Sequence, residues 1–204
     1  MKGLAIIGAG GFGREAYYHA LGQMAHYGTA REIRFFAEDA FADITANIHP
    51  LRSFDPNKWE AVIAIGDTNT RQRIANSLPA NTEFYTIIHP SAQQLTPLVK
   101  IGSGSIICAG AVLTTNISIG AHVHINLNAT IGHDCRIGNC VTIAPSANIS
   151  GNVTIGDRCN IGTNAAIREG VTIAPDCIIG MGAVVLQSIT EAGTYVGVPA
   201  KKVK

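Results

Sequence analysis

Charge is scarce in this chain. Asp, Glu, Lys and Arg make up 14% of its 204 residues, with 15 basic side chains against 14 acidic ones. A formal net charge of +1 lacks the basic surplus of proteins that track phosphate backbones, which argues against nucleic acid as the main partner. No apolar run approaches the ~18 residues of a membrane span. The opening MKGLAIIGAGGFG is too short in its apolar stretch and too rich in glycine for a secretory leader. A cytoplasmic location is the resulting expectation. The five cysteines are an odd number without metal-ligand spacing. Cys159 and Cys177 are one repeat apart and within reach of a bridge, but a reducing compartment favours buried free thiols.

What the chain has instead is a short period. From Ile101 an aliphatic residue returns at every sixth position through Ile119, Ile137, Ile155 and Ile173 to Val185, fifteen in succession. A helix face repeats at three and four and a lone strand at two, so neither explains the pattern. A second series of mostly small residues runs four positions later, among them Ala111, Ala129, Cys135, Ala147, Cys159 and Cys177. Glycine often follows the aliphatic, as at Gly102, Gly120 and Gly162, where a turning chain tolerates unusual torsions. A fixed period of six is the mark of a hexapeptide β-helix. Three hexads close one 18-residue coil, so the stretch from Val99 to Leu186 makes about five coils stacked at roughly 4.8 Å. Period alone leaves the hand open.

Ahead of the prism, residues 2–8 read as a buried strand, followed by a glycine turn and a helix from about Arg14 to Met24. Residues 32–37 make a second strand ending in Glu38 and Asp39, and residues 61–65 a third, leading to a helix near Thr70–Ser77. Residues 83–88 look like a fourth strand. Alternating strands and helices imply a small Rossmann-like parallel sheet. The expected division is a Rossmann-like domain over 1–90 and the β-helix with a C-terminal strand over 91–204. Gly8, Gly10 and Gly13 satisfy G-x-G-x-x-G between strand and helix. That motif is either a tight turn with no ligand or a phosphate site at a helix N-terminus. Some ninety residues hold only half of a dinucleotide fold, so a single nucleoside diphosphate suits the sheet better than NAD. At the far end, TYVGVPAKKVK supplies a strand that can cover the edge of the last coil.

Outward positions of a β-helix are free for chemistry, and His89, His122, His124 and His133 lie in or beside the prism. His133 precedes Asp134. An imidazole accepts a proton near neutral pH, and an adjacent carboxylate holds its tautomer. Such a dipeptide on a surface also arises by chance. A zinc enzyme resembling the β-helix carbonic anhydrases, in which histidines from two subunits bind the metal, is a rival reading that would use His122, His124 and His133, and a non-catalytic nucleotide-sugar-binding scaffold is another.

The glycine-rich first strand, the hexad prism, the HD pair in IGHDCRIG and the closing VGVPAK occur together and in order. In that combination the chain resembles the sugar O-acyltransferase family of sialic acid O-acetyltransferase (NeuD) and PglD-like type, over essentially its whole length. The resemblance implies a left-handed β-helix, an acetyl-CoA-dependent transfer without metal, and a homotrimer. The implied acceptor is the amino group of a nucleotide-linked sugar, with sugar O-acetylation as the alternative. It implies His133 as general base and Asp134 as the acid that raises its basicity. Gly10, Gly11, Phe12, Glu38, Asp39, Asn69 and Asn126 become substrate-binding positions. Thr142, Thr163, Met181 and the turn of Gly197, Pro199 and Lys201 become acetyl-CoA positions. Some members carry a second histidine where this chain has Thr142.

Overall fold

The computed structural model describes all 204 residues, as a four-stranded parallel sheet with two helices followed by a parallel β-solenoid. The first part comprises Gly3–Ile7 (β1), Gly11–His26 (α1), Ile33–Ala37 (β2), Ile48–Pro50 (β3), Trp59–Ile63 (β4) and Thr68–Ser77 (α2). Strand order is β3-β2-β1-β4. Central β1 is covered on both faces, and Leu4, Ala5, Ile6 and Ile7 have no exposed surface. That explains its unbroken apolar run. The short β3 was not anticipated from the sequence. Its three residues sit at the sheet edge, where Pro50, lacking an N–H, disturbs the ladder least. Helix α2 begins earlier than the sequence suggests because the Asp67 carboxylate accepts from the Thr70 N–H at 2.7 Å and caps it.

Residues 83–88 do not form a fourth strand of this sheet. Phe84 makes a single bridge to Ala61, and Ile87–Ile88 (β5) pairs with Ile106–Ile107 in the solenoid. The offset there is 106 − 87 = 19 residues, against 118 − 100 = 18 for Lys100 and Ser118 further along. One extra residue between Gln94 and Lys100 therefore shifts the register and hides this coil from the hexad pattern. With it included, the three faces carry five, six and eight strands, about six turns instead of five.

From Ile107 to Val185 every member of the aliphatic series is at most 4% exposed, within a continuous core of 29 buried residues. Each fully buried isoleucine contributes roughly 1.5–3 kcal/mol relative to exposure. Backbone hydrogen bonds run from coil to coil, for example from His124 N–H to Val141 O at 2.9 Å. The glycines after the aliphatic series serve a different purpose from the one expected. Gly102 and Gly162 have ordinary torsions, but a Cβ there would lie 2.4 and 2.7 Å from the backbone of the next coil. Close approach of coils excludes the side chain. The left-handed torsions fall at other corner residues, including Asn116, His122, Asn128, Asp134 and Cys140.

All five cysteines are buried free thiols. Cys135 and Cys159 donate to the carbonyls of Ser150 and Ala174 at 3.1 Å, and burial pushes the Cys159 thiol up to about 12. A hairpin of Gly193–Val196 and Lys201–Lys202 covers the last coil. The N-terminal sheet leans on the eight-stranded face, with α1 against β5 and His124 bonded to the Ile63 carbonyl.

Replacing Ile143 by Asp should prevent folding, because an unpaired charge at the prism axis costs several kcal/mol. Circular dichroism on soluble, cooperatively melting protein would contradict this register.

Candidate functional site

His133 lies at the corner between the six-stranded and five-stranded faces, after the rung Thr130–Ile131 and before Arg136–Ile137. The carbonyl of His133 accepts from Asn152 N–H at 2.7 Å, and the Asp134 N–H donates to Thr115 O at 3.1 Å, so neighbouring coils clamp the dipeptide. Asp134 adopts φ +62°, a left-handed corner that Asp tolerates. Its Oδ2 lies 2.8 Å from His133 Nδ1, and its Oδ1 accepts from Asn116 Nδ2 at 2.5 Å. The Asn116 bond, then the His133 bond, hold the Asp134 carboxyl below the usual range. Facing a carboxylate, Nδ1 carries the proton of a neutral ring and leaves the Nε2 lone pair directed away. The imidazole is 54% exposed. Gly151 makes its room, since a Cβ there would come within 2.5 Å of the ring. Asn116 and Gly151 were missed in the sequence, although each lies 18 residues from a member of the pair, one coil away.

The N-terminal sheet builds a second feature. Gly8 has φ +111°, and a Cβ on Gly13 would strike Gly8 O at 2.0 Å, so these two glycines are required by geometry. Gly10 and Gly11 meet nothing within 4 Å and stay open at the N-terminus of α1. Beside them is a cavity of about 410 Å³ lined by Gly10, Glu38, Phe41, Ile65 and Thr70. Glu38 is held bidentately by Arg73 at 2.9 and 3.0 Å, which lowers its pKa. Asp39 instead bonds Arg52 at 2.6 Å and borders a neighbouring hollow. Asn69 is exposed on the first turn of α2, outside that lining, and Phe12 packs on the His124 ring with centroids 4.8 Å apart.

The remaining positions divide. Thr163 and Met181 stack one coil apart on the edge between the eight- and six-stranded faces, and Met181 is 82% exposed. Gly197 follows on the hairpin above them, with its carbonyl bonded to Val184 N–H at 3.0 Å. Pro199 and Lys201 line a hollow of about 440 Å³ beside Tyr195 and Glu191. Asn126 uses its amide Nδ2 to reach Ile143 O at 3.0 Å, holding the next coil. Thr142 departs from its expected place in an acetyl-CoA groove. It is 8% exposed beneath the N-terminal sheet, accepting from Arg71 Nη2 at 2.9 Å and donating to Gly66 O at 3.4 Å.

The other prism histidines do not join His133. His124 is buried with Nδ1 bonded by Arg71 and Nε2 bonded to Ile63 O at 2.9 Å, leaving no ring nitrogen for a metal. His122 is buried against Phe84, and burial pushes its pKa down to about 4. The three rings do not converge within one chain, and His124, with both ring nitrogens engaged, is not free to serve as a ligand to a zinc shared between two subunits either. Asn116→Ala is expected to raise the Asp134 carboxyl titration, followed by carbon-13 NMR. An unchanged titration would show that Asn116 does not govern it.

The profile of the PglD N-terminal domain matches residues 3–78, and that of the hexapeptide repeat of succinyl-transferase matches residues 152–187. No curated protein sequence matches this chain. Among solved structures, the acetyltransferase domain of PglB from Neisseria gonorrhoeae is 31% identical with a TM-score of 0.88, covering 100% of both chains. That domain has also been solved in complex with acetyl coenzyme A, with a TM-score of 0.87 over 99% of both chains. WeeI from Acinetobacter baumannii is 29% identical with a TM-score of 0.85, again over 100% of both chains. PerB from Caulobacter crescentus, in complex with CoA and GDP-perosamine, is 28% identical with a TM-score of 0.86, covering 100% of this chain and 98% of its own. From first strand to closing hairpin, this chain belongs to the PglD-like family of hexapeptide-repeat sugar acetyltransferases.

Proposed function

We propose that this chain transfers an acetyl group from acetyl-CoA to the amino group of a nucleotide-linked amino sugar. The observation that carries the reading is the His133–Asp134 pair, held by Asn116 through the Asp134 carboxylate, with Nε2 left free of any protein hydrogen bond on a half-exposed imidazole. Support comes from the full-length likeness to the acetyl-CoA complex of PglB and to PerB with CoA and GDP-perosamine.

In this mechanism the sugar amine attacks the thioester carbonyl while Nε2 of His133 takes the amine proton. Asp134 keeps the proton of the neutral ring on Nδ1 and stabilises the imidazolium that forms. The tetrahedral intermediate collapses with release of the CoA thiolate, and the proton leaves His133 to solvent. No covalent enzyme intermediate is needed, and proximity of two bound substrates supplies much of the rate. Gly10, Gly11 and Glu38 take the nucleotide in the cavity beside α1, with Phe12, Asp39 and Asn69 around it. Asn126 serves at the sugar end. Thr163, Met181 and the Gly197–Lys201 turn hold acetyl-CoA along the prism edge.

These groups are spread over different edges of one chain, so a complete site needs a second copy. The outward column of the six-stranded face is Gln93, Val112, Thr130, Asn148, Ala166 and Val184, all uncharged. The five-stranded face instead carries Lys100 and Arg136. The uncharged face is therefore the one we assign to packing of a homotrimer. Five buried free thiols suit a cytoplasmic location, and no helix is long and apolar enough to cross a membrane.

The test is turnover of acetyl-CoA with UDP-, dTDP-, GDP- and CMP-linked amino sugars. His133→Ala should fold and bind both substrates, yet lose transfer by ~10²–10⁴-fold. Near-normal turnover in that variant, or acetylation confined to sugar hydroxyls, would contradict the reading.

A further inference from the structure

Arg71 has no exposed surface, and no carboxylate bonds to it. Its four Nη hydrogens all go to neutral acceptors. Nη1 donates to Ile65 O at 3.1 Å and to His124 Nδ1. Nη2 donates to Cys140 O at 2.6 Å and to Thr142 Oγ1 at 2.9 Å. The Nε–H is buried without a partner. Burial lowers the guanidinium pKa to about 10, so the group stays charged at neutral pH.

The partners of this cation are the loops that border the nucleotide cavity. Ile65 is one wall of it, and the Thr142 hydroxyl relays the contact from Arg71 to Gly66 O. His124, accepting at Nδ1, carries its proton on Nε2 and donates to Ile63 O at the end of β4. Its ring supports Phe12 in the first turn of α1, directly after the glycine loop. One guanidinium–imidazole pair thus touches the end of β4, the loop into α2 and the first turn of α1, and ties all three to two rungs of the prism. A seam that served packing alone would gain from apolar side chains of similar volume, because a buried charge carries a desolvation penalty.

We propose that Arg71, supported by His124, is a positioning residue for the nucleotide part of the substrate. It sets the spacing of the two loops around the cavity and keeps a buried positive charge, bonded to no carboxylate and facing only Asp67 at longer range, behind its wall, suited to a nucleoside diphosphate. The proposal rests on the function proposed above.

The experiment is calorimetric titration of UDP, GDP, dTDP, CMP and acetyl-CoA into the full-length protein and into Arg71→Lys, Arg71→Met and His124→Asn, at matched oligomeric state. Arg71→Lys keeps the charge but cannot serve four acceptors, and His124→Asn keeps an acceptor near the Nδ1 position. Both Arg71 variants should weaken the best-binding nucleotide by about tenfold or more, while acetyl-CoA stays within about twofold. His124→Asn should lose less. In turnover, the KM for nucleotide sugar should rise with kcat nearly kept. Should Arg71→Met fail to fold, Arg71→Lys decides. A folded Arg71→Lys that binds that nucleotide as the wild type does overturns the positioning role alone, as does an equal loss of acetyl-CoA binding. A wild type that binds acetyl-CoA but none of UDP, GDP, dTDP and CMP overturns the nucleotide-sugar reading itself, and this role with it.

Discussion

Coil-on-coil hydrogen bonding at β-sheet spacing is the constraint from which the rest of this molecule follows. Once a strand such as Thr142–Ile143 must pair with its equivalents 18 residues away on both sides, every position in the hexad acquires a fixed direction. The aliphatic residue must fill the axis. The residue after it often must be glycine, because the next coil's backbone occupies the space of a Cβ. Side chains at one phase then form columns along an edge. Asn116 and Asp134 are such neighbours, as are His133 and Gly151. The period that builds the core also delivers the partners of the base.

The same residue type meets opposite fates on different faces. His124 lies under the N-terminal sheet, where burial first and Arg71 second hold its pKa well below the ordinary value. His133, nine residues on, stands half in solvent with a carboxylate at Nδ1. Sequence spacing does not separate them, because which face a second domain covers is a tertiary fact. Thr142 illustrates the same point. Its outward phase marks it as available, yet Arg71 and Gly66 claim its hydroxyl.

The prism was legible in the sequence because the hexad signal repeats without error from Ile101 onward. It failed where the register slips, so the coil begun at Ile87–Ile88 was read as part of the neighbouring sheet. Strand β3 escaped because three residues, one a proline, carry no periodicity. The His133–Asp134 pair stood out by its chemistry. Its supports were readable only by adding and subtracting one coil. Arg71 carried no signal at all, since an arginine on a short polar helix usually faces water.

The function proposed above completes each site with a second copy, and its sharpest form takes His133 from one copy and the nucleotide cavity from another. Mixed trimers of His133→Ala and Gly10→Trp test it directly, since a Cβ at Gly10 meets no protein atom within 4 Å and the indole beyond it would obstruct the cavity that Gly10 lines. Each variant alone should be inactive. Co-expressed and isolated as mixed assemblies verified by mass spectrometry, they should regain acetyl transfer, because some sites then combine an intact base with an intact cavity. Mixed assemblies that remain as inactive as the parents would contradict the shared site.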